Sequence, residues 1–328
     1  MRRRISLAGL GTTAGMLSAK SSLFAVAVTA SALTIAGCSA GGVAPTLASN
    51  GAASTTAGQA ASPDATTTYT YTCQNIGGAD CLVFKGTKLY KTIKNGIKSP
   101  LGVAAGKDGR FYVADQSADA IVVYSAGGKS LVATLDNGGN VPVDVAVSGD
   151  ALAVANQHSM TYFASGASKP TRTLKDSDQS KGTGAAFDLK GNCYWSLVTK
   201  SSGAQVDEFK GCKGKPQRLK LGAGSPYGLA FDGSGNLWYA SYLSTANGVY
   251  KCNGVSSCTL VYNSFVNPQY INFAGDFKSI WVDDVGNYQY GAALYQISTS
   301  NGKELKKITK GLSFFDPPTG VASGPGPL

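Results

Sequence analysis

Ser99-Pro100-Leu101-Gly102-Val103-Ala104 recurs along the chain as Val141-Pro142-Val143-Asp144-Val145-Ala146, Ser225-Pro226-Tyr227-Gly228-Leu229-Ala230 and Asn267-Pro268-Gln269-Tyr270-Ile271-Asn272. The four prolines fall on a 42-residue grid whose remaining point is Gly184, in Thr183-Gly184-Ala185-Ala186-Phe187. One four-stranded blade of a β-propeller consumes about 40 to 50 residues, and nothing inside the repeat has helical periodicity. The period therefore predicts an all-β propeller.

Within the first complete repeat, apolar segments at 102–105, 110–115, 120–125 and 130–135 are separated by Gly, Asp and Lys turns, which reads as four short strands. Later second strands fall at 151–156, 193–197, 237–241 and 279–284, rich in the aromatic and β-branched residues that suit a sheet. Five blades then run over 99–316. Residues 69–98 read as the outer three strands of a further blade, and Pro318-Thr319-Gly320-Val321-Ala322 reads as its missing inner strand. Pairing the two ends of the chain closes a ring of six blades and leaves no inner edge open. The fifth repeat is longer than the others, so five or seven blades are the alternatives to this count.

Residues 99–115, with Gly106-Lys107-Asp108-Gly109-Arg110-Phe111-Tyr112-Val113-Ala114-Asp115 after the proline phrase, resemble an NHL repeat, and 225–240 repeats the pattern with Phe231-Asp232-Gly233-Ser234-Gly235-Asn236-Leu237-Trp238-Tyr239-Ala240. The resemblance covers about 99–322 and implies a blade rather than an activity. Families of this architecture include protein- and RNA-binding modules, extracellular scaffolds, and six-bladed lactonases and lyases, so fold alone does not choose. The chain departs from the lactonase pattern. It lacks the acidic glutamate motif before the first blade, and Leu101, Val143, Ala185 and Tyr227 stand where those enzymes present asparagine.

Ahead of the repeats, Arg2, Arg3 and Arg4 precede an apolar stretch over 23–37 that is shorter than an ordinary membrane span. It ends in Ile35-Ala36-Gly37-Cys38, which resembles the bacterial lipobox; the resemblance implies a signal over 1–37 and lipidation of Cys38. Arg2-Arg3-Arg4-Ile5-Ser6-Leu7 also resembles a twin-arginine signal, and the export route stays open. Residues 38–68 hold almost only Ala, Gly, Ser, Thr, Pro and Asn, a composition with too little apolar surface to fold, and read as a flexible tether before a propeller over 69–328. Losing Arg2, Arg3, Arg4 and Lys20 with the signal lowers the formal charge from +10 to +6. The remaining lysines are scattered along blade edges, where they guard against edge-to-edge pairing, so nucleic acid is not an expected partner.

Of seven cysteines, six remain when Cys38 carries lipid. An even count in an exported domain reads as disulfides. Cys73 with Cys81 and Cys252 with Cys258 flank short turns. Cys193 opens a second strand and Cys212 closes the third, ends that antiparallel pairing brings together. No C-x-x-C spacing suggests a redox pair.

In a propeller, loops entering the inner strand and leaving the second strand share one face around the channel. On it the sequence places Asp115, Asn156, Tyr227, Ser241, Tyr242, Gln269, Asp283 and Asp284. Such residues can hydrogen-bond a sugar stacked on tyrosine, or hold calcium through oxygens; as strand-end residues they equally cap turns. One histidine, His158, and no G-x-S-x-G frame leave little for zinc or triad chemistry. The expectation is a non-catalytic binding or scaffolding lipoprotein, anchored at the bacterial cell membrane or outer membrane, with a protein or glycan partner on a propeller face and no cofactor. The alternative is a calcium- or other divalent-cation-dependent hydrolase or lyase at the channel, using Asp115, Asn156, Asp283 or Asp284.

Overall fold

The structure, a computed structural model, describes residues 68–177, 180–199, 203–222, 224–242 and 247–325. The predicted signal, Cys38 and all of the tether but Thr68 lie outside them. Six antiparallel sheets of four strands follow one another in chain order, a six-bladed β-propeller. Blade two is the first that the chain completes: Pro100–Ala105 lies innermost, and Phe111–Asp115, Ala120–Tyr124 and Leu131–Asp136 step outward. Blade three (Pro142–Ser148, Ala151–Asn156, Met160–Phe163, Arg172–Leu174) and blade four (Lys181–Phe187, Cys193–Thr199, Gly203–Phe209, Gln217–Arg218) repeat the order. So do blade five (Pro226–Phe231, Leu237–Ser241, Gly248–Asn253, Ser256–Tyr262) and blade six (Pro268–Phe273, Ser279–Asp284, Ala293–Ser298, Glu304–Ile308). Blade one combines both ends of the chain: Thr68–Gln74, Asp80–Lys85 and Lys88–Ile93 supply its outer three strands, and Ala322–Pro325 pairs with Thr68–Gln74 as the inner one.

Burial follows position in the blade. Second strands such as Phe111–Asp115 are buried throughout, while the outer strand Leu131–Asp136 is largely exposed. Large side chains on the second and third strands fill the wedges between blades. Tyr71 of blade one stacks on Phe111 of blade two at 4.6 Å, and Trp238 of blade five meets Phe273 of blade six edge-on at 5.7 Å. Each such aromatic contributes at most about 4 to 6 kcal/mol by the apolar area it removes from water. Trp195, Trp238, Tyr239 and Trp281 all serve this packing.

Three details differ from the sequence reading. In blade four Ala185 pairs with Trp195 as Val103 pairs with Val113 in blade two, so Gly182, not Gly184, stands where the other blades carry proline. Glycine there needs no fixed φ, and the missing ring let the phase slip unseen. The closing ladder begins at Ala322 rather than Pro318; the lead-in is held by Thr319 N–H, which donates to Cys73 O, and by hydroxyls, with Thr72 Oγ1 donating to Gly320 O and Thr319 Oγ1 within hydrogen-bond reach of Cys73 O and Pro100 O. The extra length of the fifth repeat is loop, at 285–292 and 309–317, which settles the count at six.

All three expected disulfides form: Cys73–Cys81, Cys193–Cys212 and Cys252–Cys258. Cys73 and Cys81 are direct cross-strand partners, and Cys212 sits in a short 3-10 turn, Lys210–Cys212, just past the third strand rather than at its end. Three bridges point to an oxidising, extracytoplasmic compartment. Among the described residues no helix is long and apolar enough to cross a membrane.

Candidate functional site

Inner strands begin, and second strands end, on what is here termed the upper face. The last residue of the second strand has one recurring task there, to hold the chain arriving at its own blade. Asp115 accepts from Lys98 N–H at 2.7 Å and Ser99 N–H at 2.9 Å. Asp284 accepts from Val266 N–H and Asn267 N–H at 2.9 and 2.7 Å, Ser241 Oγ accepts from Ser225 N–H, and Asn156 Oδ1 accepts from Asn137 Nδ2. Gln74 does the same for blade one by donating to Gly311 O and Asp316 O. In blade four the position is Leu197, fully buried.

These side chains are therefore spent on the loops that define the face. Asp115, Asn156, Ser241, Asp283 and Asp284 are all buried. Among the described residues no three His, Cys, Asp or Glu side chains form a group suited to a metal ion. Of the sequence-derived set, Tyr227, Tyr242 and Gln269 keep partial exposure. Tyr227 meets Tyr242 and Tyr270 edge-on at 5.3 and 5.5 Å, and burial pushes its hydroxyl up to about 12. His158 is exposed, with Nδ1 3.0 Å from Ser180 O. The Asp232-Gly233-Ser234-Gly235-Asn236 stretch is a tight turn, in which Asp232 Oδ1 accepts from Ser234 N–H and Asn236 N–H and Gly235 takes a φ of 80°.

Deeper in the channel a second layer appears. Register places Gly102, Asp144, Gly184, Gly228, Tyr270 and Gly320 at one level of the six inner strands. The strands nearly touch there: a Cβ on Gly102 would lie 2.6 Å from Asp144 Cα, and one on Gly228 2.6 Å from Tyr270 Cα. The two side chains at this level come from blades three and six, on opposite sides of the ring. Asp144 Oδ2 accepts from Ala185 N–H at 2.9 Å, and burial raises its carboxyl to about 7. Asp283 accepts from Gln269 N–H and Tyr270 N–H, leaves Oδ2 without a partner, and is also pushed well up by burial. Below this layer a cavity of about 920 Å³ opens on the lower face.

Exposed apolar surface gathers at the upper face between blades six and one. Tyr288 is 81% exposed and lies 4.3 Å from Phe314 and 5.7 Å from Phe315, itself 68% exposed. The loop carrying Tyr288 is tightly built. Asn287 Oδ1 accepts from Gln289 N–H and Tyr290 N–H, Gly291 N–H donates to Asn287 O, and Gly286, at φ 66°, passes so close to Gly291 that no Cβ would fit. The facing loop is pinned through Asp316 Oδ1, which accepts from Gly77 N–H beside the exposed Ile76. Phe314, Phe315 and Ile76 are not among the residues that the sequence places on this face. Their signal was aromatic and branched residues in turn-forming surroundings.

Comparison with known proteins bears on the fold. The chain is similar to a chain in the crystal structure of a nidogen/laminin complex, at 16% identity and TM-score 0.60 over 78% of this chain and 98% of that one. It is similar in the same way to a protein of unknown function from Bacteroides caccae, at 12% identity and TM-score 0.58 over 78% and 98% of the two chains. A streptogramin B lyase structure matches at 13% identity and TM-score 0.48, over 66% of this chain and 70% of that one. No family model matches the chain, and no curated protein matches its sequence.

Proposed function

We propose that this propeller is a non-catalytic, extracytoplasmic binding module, tethered through lipidated Cys38 and a flexible segment over 38–68, that docks a protein partner on its upper face between blades six and one. The observation that carries the reading is the rigid loop around Asn287 that displays Tyr288 against Phe314 and Phe315. Aromatic side chains held in place before binding lose little conformational freedom on docking, and such anchors dominate interface energetics. Monomeric surfaces seldom leave clustered apolar groups in water without an interaction to serve. Of the residues that a hydrolase or lyase would have used, Asp115, Asp283 and Asp284 accept from backbone N–H groups and Asn156 from the Asn137 side chain. A chain of this fold occurs in a nidogen/laminin complex, which supports the reading by example.

The test is capture of envelope proteins by the intact protein and by a Tyr288→Ala/Phe315→Ala variant of equal melting temperature. Specific loss of a partner from the variant is expected; an unchanged set of captured proteins would remove the patch from function.

A further inference from the structure

We infer that the channel cavity opening on the lower face is a binding site for a small organic cation of the primary-amine type, whose ammonium group meets Asp144 at the upper end. The site is separate from the upper face and does not rest on its proposed role. Inner strands run from the upper to the lower face, and the cavity is lined only from the level of Asp144 and Tyr270 downward. At that level neighbouring inner strands come together around the ring, and the cavity reaches no higher. A volume of about 920 Å³ lies in the range of small-molecule sites.

The chemistry of the walls selects the ligand. Val145, Leu229 and Ile271 give the cavity an apolar side suited to an alkyl chain. Its lining includes acceptor atoms that have no partner or no counter-charge. Asp144 is 6% exposed and has no cationic partner, Gln296 Oε1 is buried without a hydrogen bond, and Ser323, 7% exposed, leaves Oγ unpaired. The two cations that border the cavity, Lys107 and Lys306, are exposed at its mouth. A buried carboxyl without a counter-charge is costly, and that cost is relieved by a ligand that is a donor only and carries a positive charge. Burial holds the Asp144 carboxyl near 7, as befits a group whose neighbours Tyr270 and Asp283 offer no positive charge.

The experiment is isothermal titration of n-hexylammonium chloride into the intact protein, with 1-hexanol as the neutral control. Two variants accompany it: Asp144→Asn, which keeps an acceptor for Ala185 N–H, and Ser148→Trp, an exposed position on the rim of the cavity. Saturable binding of the amine is expected, at least tenfold weaker for hexanol and for both variants, with melting temperatures showing each variant folded. No saturable binding, equal affinity for hexanol, or undiminished binding by folded Asp144→Asn would each overturn the assignment. None of these results touches the partner captured by Tyr288 and Phe315, so the two readings fail separately.

Discussion

Asp144 and Tyr270 stand at the same position of the inner strand in opposite blades, three and six, at a level where the other four blades carry glycine. One carboxyl and one phenol thus stand at the upper end of the cavity that opens on the lower face. The buried carboxyl makes stability depend on pH. Its pKa rises from 3.8 unfolded to about 7 folded, so between those values the folded state binds the extra proton. Stability is then highest below about pH 4 as far as this group is concerned, and falls as pH rises towards 7. Asp144→Asn removes that loss. Urea unfolding at pH 8 should find the variant more stable than the wild type by about 2 to 4 kcal/mol, with little difference at pH 4. Asp283, shifted in the same direction, leaves part of the slope in the variant.

The close approach beside it gives a second expectation. Gly228→Ala would set a methyl group 2.6 Å from Tyr270 Cα and 2.7 Å from Gln269 O, both backbone atoms that cannot swing aside. Forced overpacking of this kind costs about 1 to 3 kcal/mol. The melting temperature of the variant should fall, whereas Gly139→Ala, where no neighbour lies within 4 Å but φ is 72°, isolates the cost of backbone strain alone.

The repeat of Pro100, Pro142, Pro226 and Pro268 made the architecture readable, because proline marks the same backbone position in four of the blades, and the second strands of blades three, five and six matched their predicted bounds. Blade four escaped because Gly182 replaces the proline and offers no such mark. The site was less legible for a chemical reason: a carboxylate that caps a loop and one that binds a ligand are the same residue in a sequence. Asp115 and Asp284 became caps only when Lys98, Ser99, Val266 and Asn267 were seen to donate to them. Asp144 lay inside the repeated phrase itself, where its neighbours Val143 and Val145 made it read as strand.

Ring closure can be tested by shortening. Ending the chain before Ala322 removes the inner strand of blade one and bares the edge of Thr68–Gln74. An unpaired strand edge is a template for association. The truncated protein should melt about 10 °C lower, the shift expected for several kcal/mol in a domain of this size, and should run as dimers or larger species in gel filtration.

The disulfides are staples of unequal weight. Cys193–Cys212 closes a loop with sequence separation 19, against 6 for Cys252–Cys258. By loop entropy, replacing the first pair with serine should cost about 3 kcal/mol and the second about 2. Denaturant midpoints of the two double variants would show whether that order holds.

The central claim, that the upper face between blades six and one is the docking surface, is tested most directly by site-specific photocrosslinking in the intact envelope. A photoreactive phenylalanine is placed at Tyr288, at Leu189 on the lower face, or at Leu305 on the outer strand of blade six, all exposed positions. The account predicts a discrete protein adduct from position 288 and none from 189 or 305. Equal adducts from all three, or an adduct only from the lower face or the rim, would contradict it.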